Sequence, residues 1–120
     1  MEGRAIYNHP AHHGEDYALR GIRVVDFTWV HSGPAATRVL ADQGAQIIKI
    51  ESGMDMPLVS APSPQLPRQL GLRHNYNDSK LSLSLNMNTR QGIDIARRLV
   101  AVCDVVAENY SSGVMLQWGL

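Results

Sequence analysis

The feature that most constrains the fold is the stretch VVDFTWVHSGPAATRVLADQGAQIIKIE, residues 24–51. Two short runs rich in β-branched residues, IRVVDF (residues 22–27) and AQIIKIE (residues 45–51), lie at its two ends, and runs of this kind predict β-strands. Between them, AATRVLADQG has Ala36, Val39 and Leu40 at helical spacing, followed by Gly44, a residue typical of helix C-termini. Strand, helix and strand predict a βαβ unit with parallel strands and a right-handed connection.

The second half of the chain predicts two more strands and two more helices. LSLSLNM alternates leucine with serine, so Leu81, Leu83 and Leu85 share one face of a half-buried strand near the edge of the sheet. Asn88 or Thr89 can cap the helix that follows, RQGIDIARRLVAVC. DVVAEN predicts a buried strand, and SSGVMLQWGL predicts the start of another helix. The predicted apolar stripe of the RQGIDIARRLVAVC helix consists of Ile93, Ala96, Leu99 and Val100.

The charge balance argues against binding to nucleic acid or to a membrane surface. Eleven Lys and Arg residues are matched by eleven Asp and Glu residues, which gives a formal net charge of zero. Cys103 is the only cysteine, so we expect neither a disulfide framework nor a cysteine-based metal site within the chain. No stretch approaches the roughly 18 apolar residues that span a bilayer. We therefore expect a cytoplasmic protein with no metal, no nucleic-acid partner and no membrane partner.

The composition predicts an N-terminal arm followed by one domain. Residues 1–20 are polar, and we expect a flexible arm there rather than a metal site, because no carboxylate or cysteine spacing supports the histidines His9, His12 and His13. Residues 21–120 are long enough for a single core and form the expected domain. Within it, the proline-rich residues 52–77 predict a long connection that is either functional or mobile.

The loop HSGP, between the first strand and the first helix, is a candidate ligand site. Ser32 is a favoured N-cap residue and Pro34 suits the first helical turn. The amides of that turn would point out of the carboxyl end of the strand, where an anionic or polar ligand could bind. A single glycine does not make the G-x-G-x-x-G fingerprint, which argues against a nicotinamide dinucleotide. On spacing alone, an ordinary capped helix explains the loop better than a ligand site does.

Three motifs in order, GIRVVDFTWVHSGPAATRVLADQGAQIIKIE, NDSKLSLSLNMNTRQG and CDVVAENYSSGVMLQWGL, resemble the N-terminal part of the family III CoA-transferases. That family includes formyl-CoA transferase, the carnitine CoA-transferases and the α-methylacyl-CoA racemases. The resemblance runs from about Gly21 to Leu120. It implies an α/β fold, namely the N-terminal part of a Rossmann-like large domain, with a mostly parallel sheet, flanking helices and CoA across the carboxyl ends of the strands.

The same resemblance implies cofactor-binding residues after three of the strands. They are Val30, His31 and Ser32 for the thioester end; Leu85, Asn86, Met87 and Asn88 for the adenosine part; and Asn109, Tyr110 and Ser111 for the pantetheine part. Many relatives also carry phosphate-binding arginines at two positions that here are Ser52 and Leu81, and some carry an arginine at Gln117. In this chain the phosphates would be held by Lys80, Arg73 or Arg90, or would be held less tightly.

The resemblance implies a CoA-transferase that moves CoA between carboxylic acids. The family's nucleophilic aspartate lies farther along the chain than Leu120, so we expect this chain to supply CoA binding and no catalytic residue. Its own carboxylates have structural explanations; Asp26, for example, ends a strand. Acyl-CoA and a carboxylic acid are the expected substrates, and the full-length form is expected to be a homodimer. Two alternatives stay open: an acyl-CoA racemase or isomerase of the same fold, which needs an acid/base pair, and a truncated, non-catalytic binding or interaction module.

Overall fold

The computed structural model describes residues 17–51, 71 and 74–120. Its strands and helices are β1 (Arg23–Asp26), α1 (Ser32–Asp42), β2 (Gln46–Glu51), β3 (Leu81–Ser84), α2 (Arg90–Val100), β4 (Val105–Ala107) and α3 (Val114–Trp118). Residues 74–77 form a further helical turn. The arm as far as residue 16, with its three histidines, lies outside the described residues, and so do Ser52, Arg73 and most of the predicted connection.

The four strands form one sheet in the order β3-β2-β1-β4, and each neighbouring pair is parallel. The predicted α/β class and the parallel βαβ unit are therefore confirmed, and among the described strands β3 lies at an edge, as predicted. From β1 the chain moves outward through β2 to β3, and then returns to the opposite side of β1 as β4. The strand order therefore reverses between β1 and β4. In α/β sheets, a reversal of this kind is called a switch point, and it opens a crevice outside the carboxyl ends of the strands.

Two apolar clusters cover opposite faces of the sheet, because successive strand residues such as Val24 and Val25 point to opposite sides. The larger cluster contains Val25, Phe27, Ile50, Leu85, Met87 and Ala96, and the smaller contains Val24, Ala41, Ala45 and Ile47. Helix α2 packs on the larger cluster through the predicted stripe, and Thr89 caps it by accepting a hydrogen bond from the Gly92 N–H at 3.1 Å. Helix α1 covers the other face, so helices flank the sheet on both sides.

One prediction about α1 is wrong: Ser32 is the first helical residue, and the N-cap position belongs to His31. The apolar residues at helical spacing do not form the buried face, since Val39 is 59 % exposed. The residues that α1 buries are Pro34, Thr37 and Ala41. The reason is a buried hydrogen bond of 2.6 Å from the Thr37 hydroxyl to Asp26, which turns a polar residue toward the sheet. The predicted stop is confirmed, because Gly44 adopts a left-handed φ of 95°.

The prediction that the fourth strand is buried is also wrong. Val105 and Val106 are each 42 % exposed. The reason is the strand order: within the described residues, β4 pairs with β1 on one side and lies at the edge of the sheet. A strand in that position has one backbone edge and part of its side chains uncovered.

Residues 17–20, which precede the expected domain start at Gly21, also make packing contacts. The Leu19 N–H donates to the Gln43 carbonyl at 2.9 Å, and Leu19 packs against the smaller apolar cluster. Tyr17 lies against Gly44, so closely that a Cβ at Gly44 would be 2.4 Å from that of Tyr17. These contacts attach residues 17–20 to the end of α1.

Candidate functional site

The predicted cofactor-binding residues follow three parallel strands. They therefore all lie at the same end of the sheet, where the strands have their carboxyl ends. We call the residues after a strand its exit. The exits of β1 and β4 are neighbours at the switch point, so the structure brings together Val30, His31 and Ser32 with Asn109, Tyr110 and Ser111. The exit of β3 lies two strands from that of β1, about 10 Å away at ordinary strand spacing.

Asn109 joins the exits of β1 and β4. The Trp29 N–H donates to Asn109 Oδ1 at 2.8 Å, and Asn109 Nδ2 donates to the Trp29 carbonyl at 3.0 Å. The Tyr110 ring stacks on the Trp29 ring with centroids 6.3 Å apart, and meets Trp118 edge-on at 5.4 Å. Both backbone polar groups of Trp29 are therefore bonded to a side chain from the neighbouring exit, which ties the two exits together.

Gly33 allows α1 to start close to these two exits. A Cβ at Gly33 would lie 2.5 Å from Thr28 Cβ and 2.9 Å from Asn109 Cγ. Such distances are far shorter than van der Waals contacts, so no larger residue fits without movement of the backbone. The one glycine of HSGP thus permits close packing of helix against strand, which is one of the tasks that glycines perform in nucleotide-binding loops.

Val30 has an unusual backbone conformation. Its φ of 67° lies in the left-handed region, where a β-branched residue is a genuine outlier. A conformation of this kind costs on the order of 1–3 kcal/mol and persists only where the surrounding structure enforces it. Such outliers cluster at ligand sites. Here the residue is exposed and lies between the clamped backbone of Trp29 and the start of α1.

The predicted binding residues after β3 differ in how far their side chains are buried. Leu85 and Met87 belong to the larger apolar cluster, whereas Asn86 and Asn88 are exposed. The Asn86 carbonyl accepts hydrogen bonds from the N–H and hydroxyl of Thr89 at 3.1 and 2.8 Å, which fixes this exit to the start of α2. Only the two asparagines present their side chains to solvent, so Leu85 and Met87 could contact a ligand there only through their backbone.

A buried polar centre, made of Asp26, Thr28, Thr37, Lys49 and Lys80, lies beneath the exit of β1. Asp26 is fully buried. Its Oδ1 accepts hydrogen bonds from the Thr28 N–H at 2.8 Å and from the Thr28 hydroxyl at 2.5 Å. Its Oδ2 accepts from the Thr37 hydroxyl at 2.6 Å. The ammonium groups of Lys80 and Lys49 lie 3.2 and 3.8 Å from the carboxylate.

Lys80 is turned into this polar centre. Its side chain is 1 % exposed, and its ammonium donates to the Pro34 carbonyl at 2.9 Å, the Thr37 hydroxyl at 2.8 Å and Asn77 Oδ1 at 3.1 Å. Burial lowers the pKa of Lys80, and the nearby Asp26 carboxylate opposes that shift. These bonds occupy the ammonium, so Lys80 is not placed to hold a cofactor phosphate. Arg90, by contrast, has a side chain that is 96 % exposed at the start of α2.

Sequence reasoning missed this polar centre, since it gave Asp26 only the role of ending a strand. A signal was present: in VVD and IIK, a charged residue follows two apolar residues in each of the first two strands. The observed register pairs Asp26 with Lys49 and Lys49 with Ser82, so the three residues form a row across the sheet. The assumption of parallel pairing in that register would have placed the two charges side by side.

The described residues contain neither a metal-binding cluster nor a membrane-spanning helix. In that part of the chain, no group of three or more His, Cys, Asp or Glu side chains is arranged to hold a metal ion. None of the described helices combines the length and the apolar character that crossing a membrane requires.

Comparison with known proteins identifies a family over most of the chain. The family model for CoA-transferase family III matches residues 19–120. The chain is 35 % identical over 103 residues to formyl-CoA:oxalate CoA-transferase from Rhodopseudomonas palustris. It is 37 % identical over 105 residues to succinyl-CoA:glutarate CoA-transferase from Mus musculus. Each alignment covers 85 % of this chain and 24 % of the relative, so the chain spans about a quarter of the length of these relatives.

Solved structures with the same fold extend this similarity to three dimensions. A hypothetical protein from Mycobacterium tuberculosis matches with a TM-score of 0.75 at 34 % identity, over 88 % of this chain and 28 % of that one. A CAIB/BAIF family protein from Brucella suis matches with a TM-score of 0.75 at 32 % identity, over 88 % of this chain and 29 % of that one.

Proposed function

The chain belongs to CoA-transferase family III, and on that premise we propose that the protein transfers CoA between carboxylic acids, this chain supplying the CoA-binding part. The observation that best supports the proposal is the pair of joined exits at the switch point, where Asn109 bonds both backbone polar groups of Trp29. Ligands of open α/β sheets bind in the crevice at such a point.

In this proposal the thioester end of CoA lies against Val30, His31 and Ser32. Two features support that position: the left-handed backbone of Val30 and the N-terminus of α1, whose first-turn amides carry partial positive charge. The pantetheine part would follow Asn109, Tyr110 and Ser111. The adenosine part would reach the exit of β3, at Leu85, Asn86, Met87 and Asn88. With Lys80 bonded within the polar centre, Arg90 and Arg73 are the remaining candidates for the phosphates.

The proposed reaction proceeds through covalent intermediates on an aspartate outside this chain. Attack of that carboxylate on the acyl-CoA carbonyl breaks the C–S bond, which gives an acyl-aspartyl anhydride and the CoA thiolate. The thiolate then attacks the aspartyl carbonyl, so that the donor acid leaves and a thioester to the aspartate forms. The acceptor carboxylate reverses these two steps and leaves as a new acyl-CoA. The positive end of α1 would favour the thiolate whenever it is released.

Two further parts of the proposal concern the whole protein. We propose that it acts in the cytoplasm, which agrees with the balanced charge and the single cysteine of this chain. We also propose that the full-length protein is a homodimer, as the resemblance to the family implies.

A trapping experiment on the full-length protein tests the proposed reaction. The protein is incubated in heavy water with acyl-CoA and no acceptor acid, treated with hydroxylamine, and analysed by mass spectrometry together with the recovered acyl-CoA. A transferase should give an aspartyl hydroxamate and no deuterium in the acyl chain, because its chemistry leaves the α-carbon untouched. Deuterium at the α-carbon without an adduct would instead indicate a racemase or isomerase. Neither signal, with CoA still bound, would favour a non-catalytic module.

A further inference from the structure

We propose that Asp26 is a positioning residue for the cofactor site, which sets the shape of the β1 exit through the buried polar centre. The inference rests on the proposed function, because it concerns what holds the CoA site in place. It adds a residue that is not among those expected to touch the cofactor.

The Asp26 carboxylate connects three segments that surround the β1 exit. It accepts hydrogen bonds from Thr28 in the exit itself, from Thr37 on α1, and from Lys80, which precedes β3. The Lys80 ammonium in turn donates to the Pro34 carbonyl in the first turn of α1. A single buried carboxylate therefore links the exit, the helix that begins there and the segment that leads into the edge strand.

The polar centre also fixes the backbone that leads to Val30. The Thr28 N–H donates to Asp26 Oδ1 at 2.8 Å, and the Thr28 carbonyl accepts a hydrogen bond from the Lys49 ammonium. Asn109 bonds the N–H and the carbonyl of the next residue, Trp29. Four successive backbone polar groups are thus held by side chains, immediately before a residue in the left-handed region. This is the kind of surrounding structure that a strained backbone needs in order to persist.

The conformation of the β1 exit depends on the negative charge of Asp26 as well as on the shape of its side chain. Asp26→Asn is nearly isosteric, but it would remove the negative charge that lies beside the buried ammonium groups of Lys49 and Lys80. Removal of one partner from a buried charge cluster is strongly unfavourable. The amide would also direct an N–H₂ donor toward hydroxyl and ammonium groups that already donate. We expect the exit to change conformation as these contacts are relieved.

The test is calorimetric titration of the full-length protein and its variants with CoA, at a temperature at which each variant is folded. We expect Asp26→Asn to weaken CoA binding by roughly tenfold or more, because a displaced exit would lose contacts to CoA and the loss of about one hydrogen bond changes affinity by about this factor. Thr37→Val removes the hydroxyl that donates to Asp26 and should weaken binding by a smaller factor. Thr37→Ser keeps the hydroxyl and should restore the affinity of the unmodified protein.

Ile47→Val is the control for a general loss of stability. Ile47 is buried in the smaller apolar cluster on the same face of the sheet, and the shorter side chain destabilises the fold away from the exit. We expect this variant to bind CoA normally. Normal binding by Asp26→Asn, or equal weakening by Ile47→Val, would overturn the positioning role and leave the proposed function intact. Failure of the unmodified protein to bind CoA would overturn both.

Discussion

The β1 exit and the β4 edge of the same sheet are built in opposite ways. At the β1 exit and at the end of the strand before it, Thr28 and Asp26 are buried, their polar groups are bonded, and Gly33 has no room for a methyl group. At the β4 edge, Val105 and Val106 are exposed, as are Val102 in the turn before β4 and Leu116 in α3, the helix that follows β4 in the chain.

The two regions differ in whether the described residues satisfy the groups that they contain. A buried charge is tolerated only when the surrounding residues complete its hydrogen bonds, and the described residues do so for Asp26. Apolar side chains at an edge carry no such requirement, so they can stay uncovered at a modest cost. Substitutions at the β1 exit should therefore alter stability much more than substitutions at the β4 edge.

The largest expected change in the free energy of unfolding comes from adding a methyl group at Gly33. Gly33→Ala should lower the free energy of unfolding by about 2 kcal/mol, because the new Cβ would overlap Thr28 and Asn109 and force the backbone to shift. Gly71→Ala is the matched control, since its Cβ would meet no atom of the described residues within 4 Å. Urea denaturation of both variants measures the difference. Equal unfolding midpoints would contradict the close packing at the β1 exit.

An intermediate loss of stability is expected when the hydrogen bonds between the β1 and β4 exits are removed. Asn109→Ala removes both hydrogen bonds to the Trp29 backbone and should cost about 1–2 kcal/mol of stability. Asn109→Asp retains the acceptor but not the donor, so its loss should be intermediate. Chemical denaturation followed by tryptophan fluorescence provides the measurement. The exposed Asn88→Ala serves as the control and should change stability by less than about 0.5 kcal/mol.

The smallest effect on stability should occur in α3, the helix that follows β4 in the chain. Leu116 is 80 % exposed, so Leu116→Gln should change the free energy of unfolding by no more than about 0.5 kcal/mol. The same substitution should reduce the binding of a hydrophobic dye and the self-association of the 120-residue chain, because it removes exposed apolar surface. Dye fluorescence and size-exclusion chromatography measure these properties. A clear loss of stability would show that Leu116 packs against other residues.

Much of the fold could be predicted from the sequence because its signals are local. The alternation of Leu81, Leu83 and Leu85 with serines, the cap at Thr89 and the stop at Gly44 each depend on residues a few positions apart, and all three are confirmed. The exposure of β4 depends instead on which strand lies beside it. An apolar run such as DVVAEN is the same whether its strand is central or at an edge, so the pattern could not decide.

The candidate site also has features that the sequence indicated and features that only the structure shows. Motif resemblance indicated the residues after β1, β3 and β4, and the structure places two of those groups side by side. It could not indicate the bond between Asn109 and Trp29, which are 80 positions apart. It also could not show that Leu85 and Met87 point into the core, whereas Asn86 and Asn88 face solvent.

By itself, the sequence determined the βαβ unit, the segments that form strands and helices, and the motifs that indicate the family, since each is contained in a continuous stretch. Only the tertiary structure decided the switch point between β1 and β4, the buried face of α1 and the polar centre around Asp26. The reason is distance along the chain: Asp26 meets Lys80 across 54 positions. Whether two such charges meet depends on the order and register of the parallel strands that carry or follow them, which no local pattern of hydrophobic and polar residues contains.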